Sequence, residues 1–262
     1  MPQVELAAGT IEYQDTGADG PVLVFLPGLT MDGSLWRKVV PGLVPDYRCV
    51  LPTLPLGGHR RPMRPGADLS LRGLGLLVGE FVERAFGNYP PRPARAMVLA
   101  ARIPGGLAAM MWLLRLRAVR RAPGSWGWMS KRPVPDEVMD AWFRPAATSP
   151  AIRRDLARYL TSVPSRPVLL EWAGRSATFE RPVLVVWATE DRMMPRRHGR
   201  RLADLFPDAR LIKIDDSYTL LPEDQPEQLV RAIRDFVPAA RRSTPLLNNA
   251  PIRPAPRADR GR

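Results

Sequence analysis

The chain has 262 residues, 45% of them hydrophobic, which is enough for one α/β domain with a sizeable core and a modest insertion, and leaves little for a second independent domain. One cysteine, Cys49, excludes a disulfide framework, and the formal charge of +13 is carried by 39 basic residues of which only Lys38, Lys131 and Lys213 are lysines. The arginines are scattered without a nucleic-acid motif, no run of eighteen apolar residues occurs, and Met1 to Gly9 carries no secretory pattern, so the expectations are a cytoplasmic protein with no specific nucleic-acid partner and no membrane association.

In chain order, Val4 to Leu6 and Thr10 to Asp15 alternate around a Gly-containing turn and predict an edge hairpin. Gly20-Pro21 opens the apolar run 22–26, which predicts a strand covered on both faces. Asp32 and Ser34 offer caps for a helix carrying Leu35, Trp36, Val39, Val40 and Leu43, and a strand over 47–51 places Cys49 as a small buried hydrophobe. Asp68 begins a helix through Phe86, with Leu71, Leu74, Leu77, Val78, Phe81 and Val82 at helical spacing. The second βα alternation comprises a strand from Val183, a helix over about 196–206, a strand from Arg210 to Ile214 and a helix over 224–237. Between the two halves, 88–181 is rich in Pro, Trp and short helical patterns.

The fold expected is therefore α/β: a mainly parallel sheet flanked by helices, with the strands 22–26, 47–51, 183–187 and 210–214 in one sheet. The core is 1–87 with 182–238, the helical insertion is 88–181, and 239–262, with six Arg, one Asp and four Pro, is a disordered tail. No Cys, His and carboxylate cluster has metal-ligand spacing, and no G-x-G-x-x-G or Walker sequence is present, so no metal and no cofactor are implied. Of the two histidines, His198 sits in a basic surface helix, whereas His59 follows strand 47–51 at the edge where open α/β sheets bind ligands.

Pro21 to Leu29, Leu54 to Pro62, Trp142 to Pro145, Pro182 to Asp191 and Asp216 to Leu220 together resemble the α/β-hydrolases, in particular the capped subgroup of haloalkane dehalogenases and epoxide hydrolases. The resemblance implies a helical cap at 88–181 and hydrolysis of a small, apolar ester, haloalkane or epoxide through a covalent ester intermediate. It implies Asp191 as the acid of the triad, and Gly28 and Leu29 as the turn that gives one backbone donor to the oxyanion hole, with Pro27 where the family has His. Thr219 occupies the usual His position with Tyr218 beside it, and His59 and Tyr218 are candidate pocket residues.

The chain departs from the family at the nucleophile. No G-x-S-x-G or G-x-D-x-G-G pentapeptide exists in it, and Gly87-Asn88-Tyr89-Pro90-Pro91, where a cap begins, follows the helix ending at Phe86 at once. A strand-helix-strand unit needs at least about 30 residues, so a piece of that size is expected to be absent between Phe86 and Asn88. A second register makes Arg95 to Ala100 the missing strand and Ala101 to Gly106 the elbow, with Ile103 at the nucleophile position and Pro104 lacking an N–H. Two functions follow: an impaired hydrolase of this family, or a non-catalytic remnant that binds a small ligand.

Overall fold

The computed structural model describes residues 1–70, 72–74, 77, 92–162, 168 and 178–243. β1 (Gln3–Leu6) and β2 (Gly9–Asp15) form the expected antiparallel hairpin, with Val4 opposite Ile11. β2 pairs antiparallel with β4 (Arg48–Pro52), and β4 pairs parallel with β3 (Val22–Val24), giving the order β1-β2-β4-β3. Between β3 and β4 the expected helix is replaced by two 3₁₀ turns, Gly33–Trp36 and Val40–Gly42. Pro41 has no N–H to continue a helical ladder and Gly42 follows it, yet the apolar pattern is obeyed: Val39 and Leu43 are fully buried. The anticipated cap is present, Asp32 Oδ1 accepting from Ser34 N at 2.9 Å. Cys49 is fully buried on β4, where burial pushes its thiol pKa up.

The insertion is helical: α1 (Arg92–Arg102), α2 (Gly106–Leu113), α3 (Arg117–Arg121), α4 (Asp136–Thr148) and α5 (Pro150–Thr161). Residues 95–100 therefore lie in a helix and not in a strand, which removes the register that made 101–106 an elbow. The aromatic and Met content of this cap packs its core. Met111, Met139, Trp142, Phe143, Ile152 and Leu156 are at most 1% exposed and share one cluster with Met31 and Leu35 from the loop after β3 and with Leu220. Trp142 also crosses from cap to core by donating Nε1–H to Ser34 Oγ at 2.9 Å.

β5 (Val183–Ala188) and β6 (Ala209–Ile214) pair in parallel, with α6 (Arg197–Ala203) between them and α7 (Leu221–Asp224) and α8 (Pro226–Ser243) after them. α8 takes the first five residues of the expected tail into helix, and 244–262 lie outside the described residues. Of the helix expected from Asp68 to Phe86, Asp68, Leu69 and Ser70 are not helical, residues 72–74 and 77 are, and the rest, with the Phe86–Asn88 junction, lies outside the described residues.

One expectation is corrected. Among the described residues the four parallel strands do not share a sheet: β5 and β6 form a separate two-stranded sheet. Apolar runs need cover on both faces, and that cover is met without edge pairing. Val186 of β5 packs on the same cluster as Leu23, Phe25 and Val39, over Leu229, Val230, Ile233 and Val237 of α8. Burial dictates covered faces; hydrogen-bonded edges need a strand at the right place, and none of the described residues supplies one.

Replacing Trp142 by Ala removes a fully buried side chain and the cap-to-core hydrogen bond. Its unfolding free energy in urea is expected to fall by about 3–5 kcal/mol.

Candidate functional site

Asp191 stands in the turn after β5, its Oδ1 accepting from Met193 N at 2.8 Å and Met194 N at 2.9 Å. These bonds form because an Asp side chain readily closes a turn on amides two and three residues ahead. The same oxygen accepts from Thr219 Oγ1 at 2.7 Å, across 28 residues of sequence. The structure thus brings together the two positions that the resemblance assigns to the acid and its histidine, and the partner of the carboxylate is a hydroxyl. A Thr hydroxyl can hold the carboxylate in place; it does not take up a proton near neutral pH as imidazole does.

Gly28 and Leu29 lie in the loop after β3. Thr30, fully buried, follows with φ 64°, a left-handed conformation unusual for a β-branched residue. It is held there by its N–H donating to Leu56 O at 2.9 Å and its Oγ1 donating to Leu29 O at 2.6 Å. The Leu29 N–H has no acceptor among the described residues, so the donor expected for an oxyanion remains free. Leu29, Met193 and Leu220 pack against the same cap cluster. The Gly28-Leu29 loop follows the parallel strand β3, and the Asp191–Thr219 pair joins the segments that follow the parallel strands β5 and β6.

His59 is 3% exposed and does not line the surface depression on the cap. Its Nδ1 accepts from Gly57 N at 3.3 Å, which leaves Nε2–H to donate to Asp155 Oδ2 at 3.3 Å. Asp155, on α5 of the cap, also accepts from Met63 N at 2.8 Å and meets Arg154 at 3.3 Å. Burial by itself would raise the Asp155 carboxyl pKa; the hydrogen bonds from His59 and Met63 and the nearby positive charge outweigh it and hold the carboxyl below its ordinary range. The pair is a core-to-cap tie. It relies on Gly58, where a Cβ would stand 2.6 Å from Met31 O.

Tyr218 is half-buried. The Arg192 guanidinium lies 3.6 Å above its ring centroid and 5.1 Å from that of Trp128, and also bonds the Tyr218 hydroxyl. Beside it the cap strap 130–132 is fastened to the core. Lys131 Nζ meets Glu190 at 2.5 Å and Asp216 at 3.1 Å, and Arg132 meets Asp216 at 2.8 Å. These contacts lower the Asp216 pKa, through Arg132 first, and raise that of Lys131, through Glu190 first.

Three buried carboxylates had no role in the sequence reading. Besides Asp155, Asp224 accepts from Ser130 Oγ at 2.6 Å, Tyr218 N at 2.8 Å, Arg132 N at 2.9 Å and Lys131 N at 3.0 Å. Glu223 is gripped by Arg37 and by Lys38 at 3.0 Å. The available signal was Asp224 itself, which sits where the family's D-x-G-H-x-x-x-x-E pattern has its Glu. His198 is half-buried in α6, and among the described residues no group of His, Cys, Asp and Glu could hold a metal ion. A surface depression of about 410 Å³ lies on the cap, lined by Ile103, Leu107, Arg153 and Arg154 among others; neither Asp191 nor Thr219 borders it.

Because its pKa is depressed in the folded state, Asp155 contributes stability that is complete above the unfolded-state value near 3.9 and is lost as pH falls through the lower folded value. In urea unfolding, the stability gap between the wild type and Asp155→Asn is expected to be constant from about pH 5 to 7 and to narrow below about pH 3.9.

No protein-family model matches the chain. It is 24% identical to the cis-3-alkyl-4-alkyloxetan-2-one decarboxylase of Xanthomonas campestris pv. campestris, over 87% of this chain and 92% of that protein. It is 22% identical to a haloalkane dehalogenase of Mesorhizobium japonicum, over 90% of each. These alignments run over 277 and 286 positions but take in only 87% and 90% of the 262 residues present here, so in each the relative has on the order of fifty residues without a counterpart, against about 30 for a βαβ unit. An α/β-hydrolase-fold protein from Burkholderia ambifaria superimposes with a TM-score of 0.70 at 20% identity, covering 89% of this chain and 97% of that one. The chain has the α/β-hydrolase fold, and its sequence relatives include haloalkane dehalogenases.

Proposed function

We propose that this protein is a haloalkane-dehalogenase-like α/β-hydrolase, descended from enzymes that cleave small apolar esters, haloalkanes or epoxides, in which the catalytic step is impaired because the nucleophile and the base are both gone. The observation that carries the proposal is the Asp191–Thr219 hydrogen bond: the acid is in place, and a hydroxyl stands where imidazole must. The absence of a G-x-S-x-G or G-x-D-x-G-G sequence, and the division of the sheet between β3 and β5 among the described residues, support the loss of the strand and turn that would present a nucleophile. The free Leu29 N–H gives one oxyanion donor, and the second, which comes from the residue after a nucleophile, has no counterpart here.

Where a triad has been dissected, removing its members together costs on the order of 10⁶ in kcat. Purified protein is accordingly expected to release no halide from bromoalkanes, to show no burst with p-nitrophenyl esters above a denatured control, and to resist labelling by an organophosphonate. Thr219→His alone restores nothing, because no attacking atom is supplied. A burst or label that Asp191→Ala abolishes would overturn the proposal.

A further inference from the structure

We propose that the α1–α2 face of the cap is a docking surface for an anionic lipid bilayer. Every residue of α2 (Gly106 to Leu113) is Gly, Ala, Leu, Met or Trp. A helix apolar on all sides belongs inside a core or against lipid, and α2 has only one covered face. Leu107 and Met111, with Leu114 beyond the helix end, enter the cap cluster, whereas Ala109, Trp112 (59% exposed), Leu113 and, in the next turn, Leu116 face outward at i, i+3, i+4 and i+7. Leu99 and Ile103 are exposed on and just beyond α1, which packs against α2. Five of the eight large apolar side chains exposed among the described residues thus fall between Leu99 and Leu116.

The charge around this patch selects the partner. From Arg92 to Arg132 there are nine basic residues and no acidic one. Arg102 and Arg115 are exposed beside the stripe, and Arg117 and Arg121 share one carboxylate, Asp136, at 3.2 and 2.8 Å while staying 70% and 51% exposed. Self-association through this face would set the same arginines against one another. A nucleic acid would leave Trp112, Leu113 and Leu116 without a partner, since it offers phosphates rather than hydrocarbon. An anionic bilayer takes both parts: Trp and Leu enter the headgroup boundary, and long Arg side chains reach the phosphates. The expectation of no membrane association rested on arginines scattered along the chain as well as on the lack of a spanning segment; the basic run 92–132 gathers eight of them, with Lys131, around this patch, and although no helix described here is long and apolar enough to cross a membrane, contact with a membrane surface needs no such helix.

Flotation of the full chain with vesicles tests the proposal. The protein is expected to float with phosphatidylcholine vesicles containing about 30% phosphatidylglycerol and to be released by about 0.5 M salt. Trp112→Ser with Leu116→Ser, both exposed and so compatible with an unchanged circular dichroism spectrum, should reduce binding roughly tenfold or more, and Arg115→Glu should reduce it less. A double variant that floats like the wild type would place binding elsewhere, for instance on the basic terminus it retains, and would overturn the proposal. So would failure of the wild type to float, equal affinity for duplex DNA lost in the same variant, or a concentration-dependent dimer that the variant abolishes.

Discussion

The last helix is what keeps this molecule together. Leu229, Val230, Ile233 and Val237 of α8 share one apolar cluster with Leu23 of β3, with Phe25, Val39 and Leu43 after it, and with Val186 of β5. Since β3 and β5 exchange no hydrogen bonds among the described residues, this apolar contact stands in for a continuous ladder. Hydrophobic burial is non-directional and tolerates such a substitution. A ladder would have fixed the relative register of the two pieces, which packing alone leaves to side-chain shape.

The cap is held by a different kind of bond. Buried carboxylates tie it to the core at separate points: Asp155 to His59 and the Met63 amide, and Asp224 to the strap 130–132. Glu223, gripped by Arg37 and Lys38, secures the core segment beside them. Carboxylates removed from water are tolerated only when hydrogen-bonded or paired, and each of these is. Leu29, Met193 and Leu220 join the cap cluster, and the Asp191 carboxylate accepts from the Thr219 hydroxyl.

Much of this was legible in the residues. The alternation at 3–15 and the apolar runs at 22 and 183 located strands within two residues of their observed ends, because their patterns are local, whereas the helix expected after the capping Asp32 is two 3₁₀ turns broken at Pro41. The meeting of Asp191 and Thr219 was legible only through the resemblance, since nothing local links positions 28 residues apart. Other features depend on contacts that are not local. Residues 95–100 suit a strand or a helix equally by apolar content, and the choice depends on neighbours far along the chain. The edge pairing of β3 and β5 is likewise non-local: an apolar run says that a strand is covered, not which strand lies beside it. His59 was expected near a pocket from its place after β4, and only the packing of α5 over it made it a buried tie.

The division of the sheet is the claim on which the rest turns, and hydrogen exchange of single amides measures it directly. Val183 N donates to Asp208 O and Thr189 N to Ile214 O, so along β5 the odd-numbered amides face β6 and those of Leu184 and Val186 face the opposite edge. The same alternation turns Val22 and Val24 of β3 away from β4. If the sheet is divided, the amides of Leu184, Val186, Val22 and Val24 exchange far faster than those of Val185, Trp187 and Phe25 in the same native protein. Equal protection on both edges would mean that a strand lies between β3 and β5, and would contradict the account.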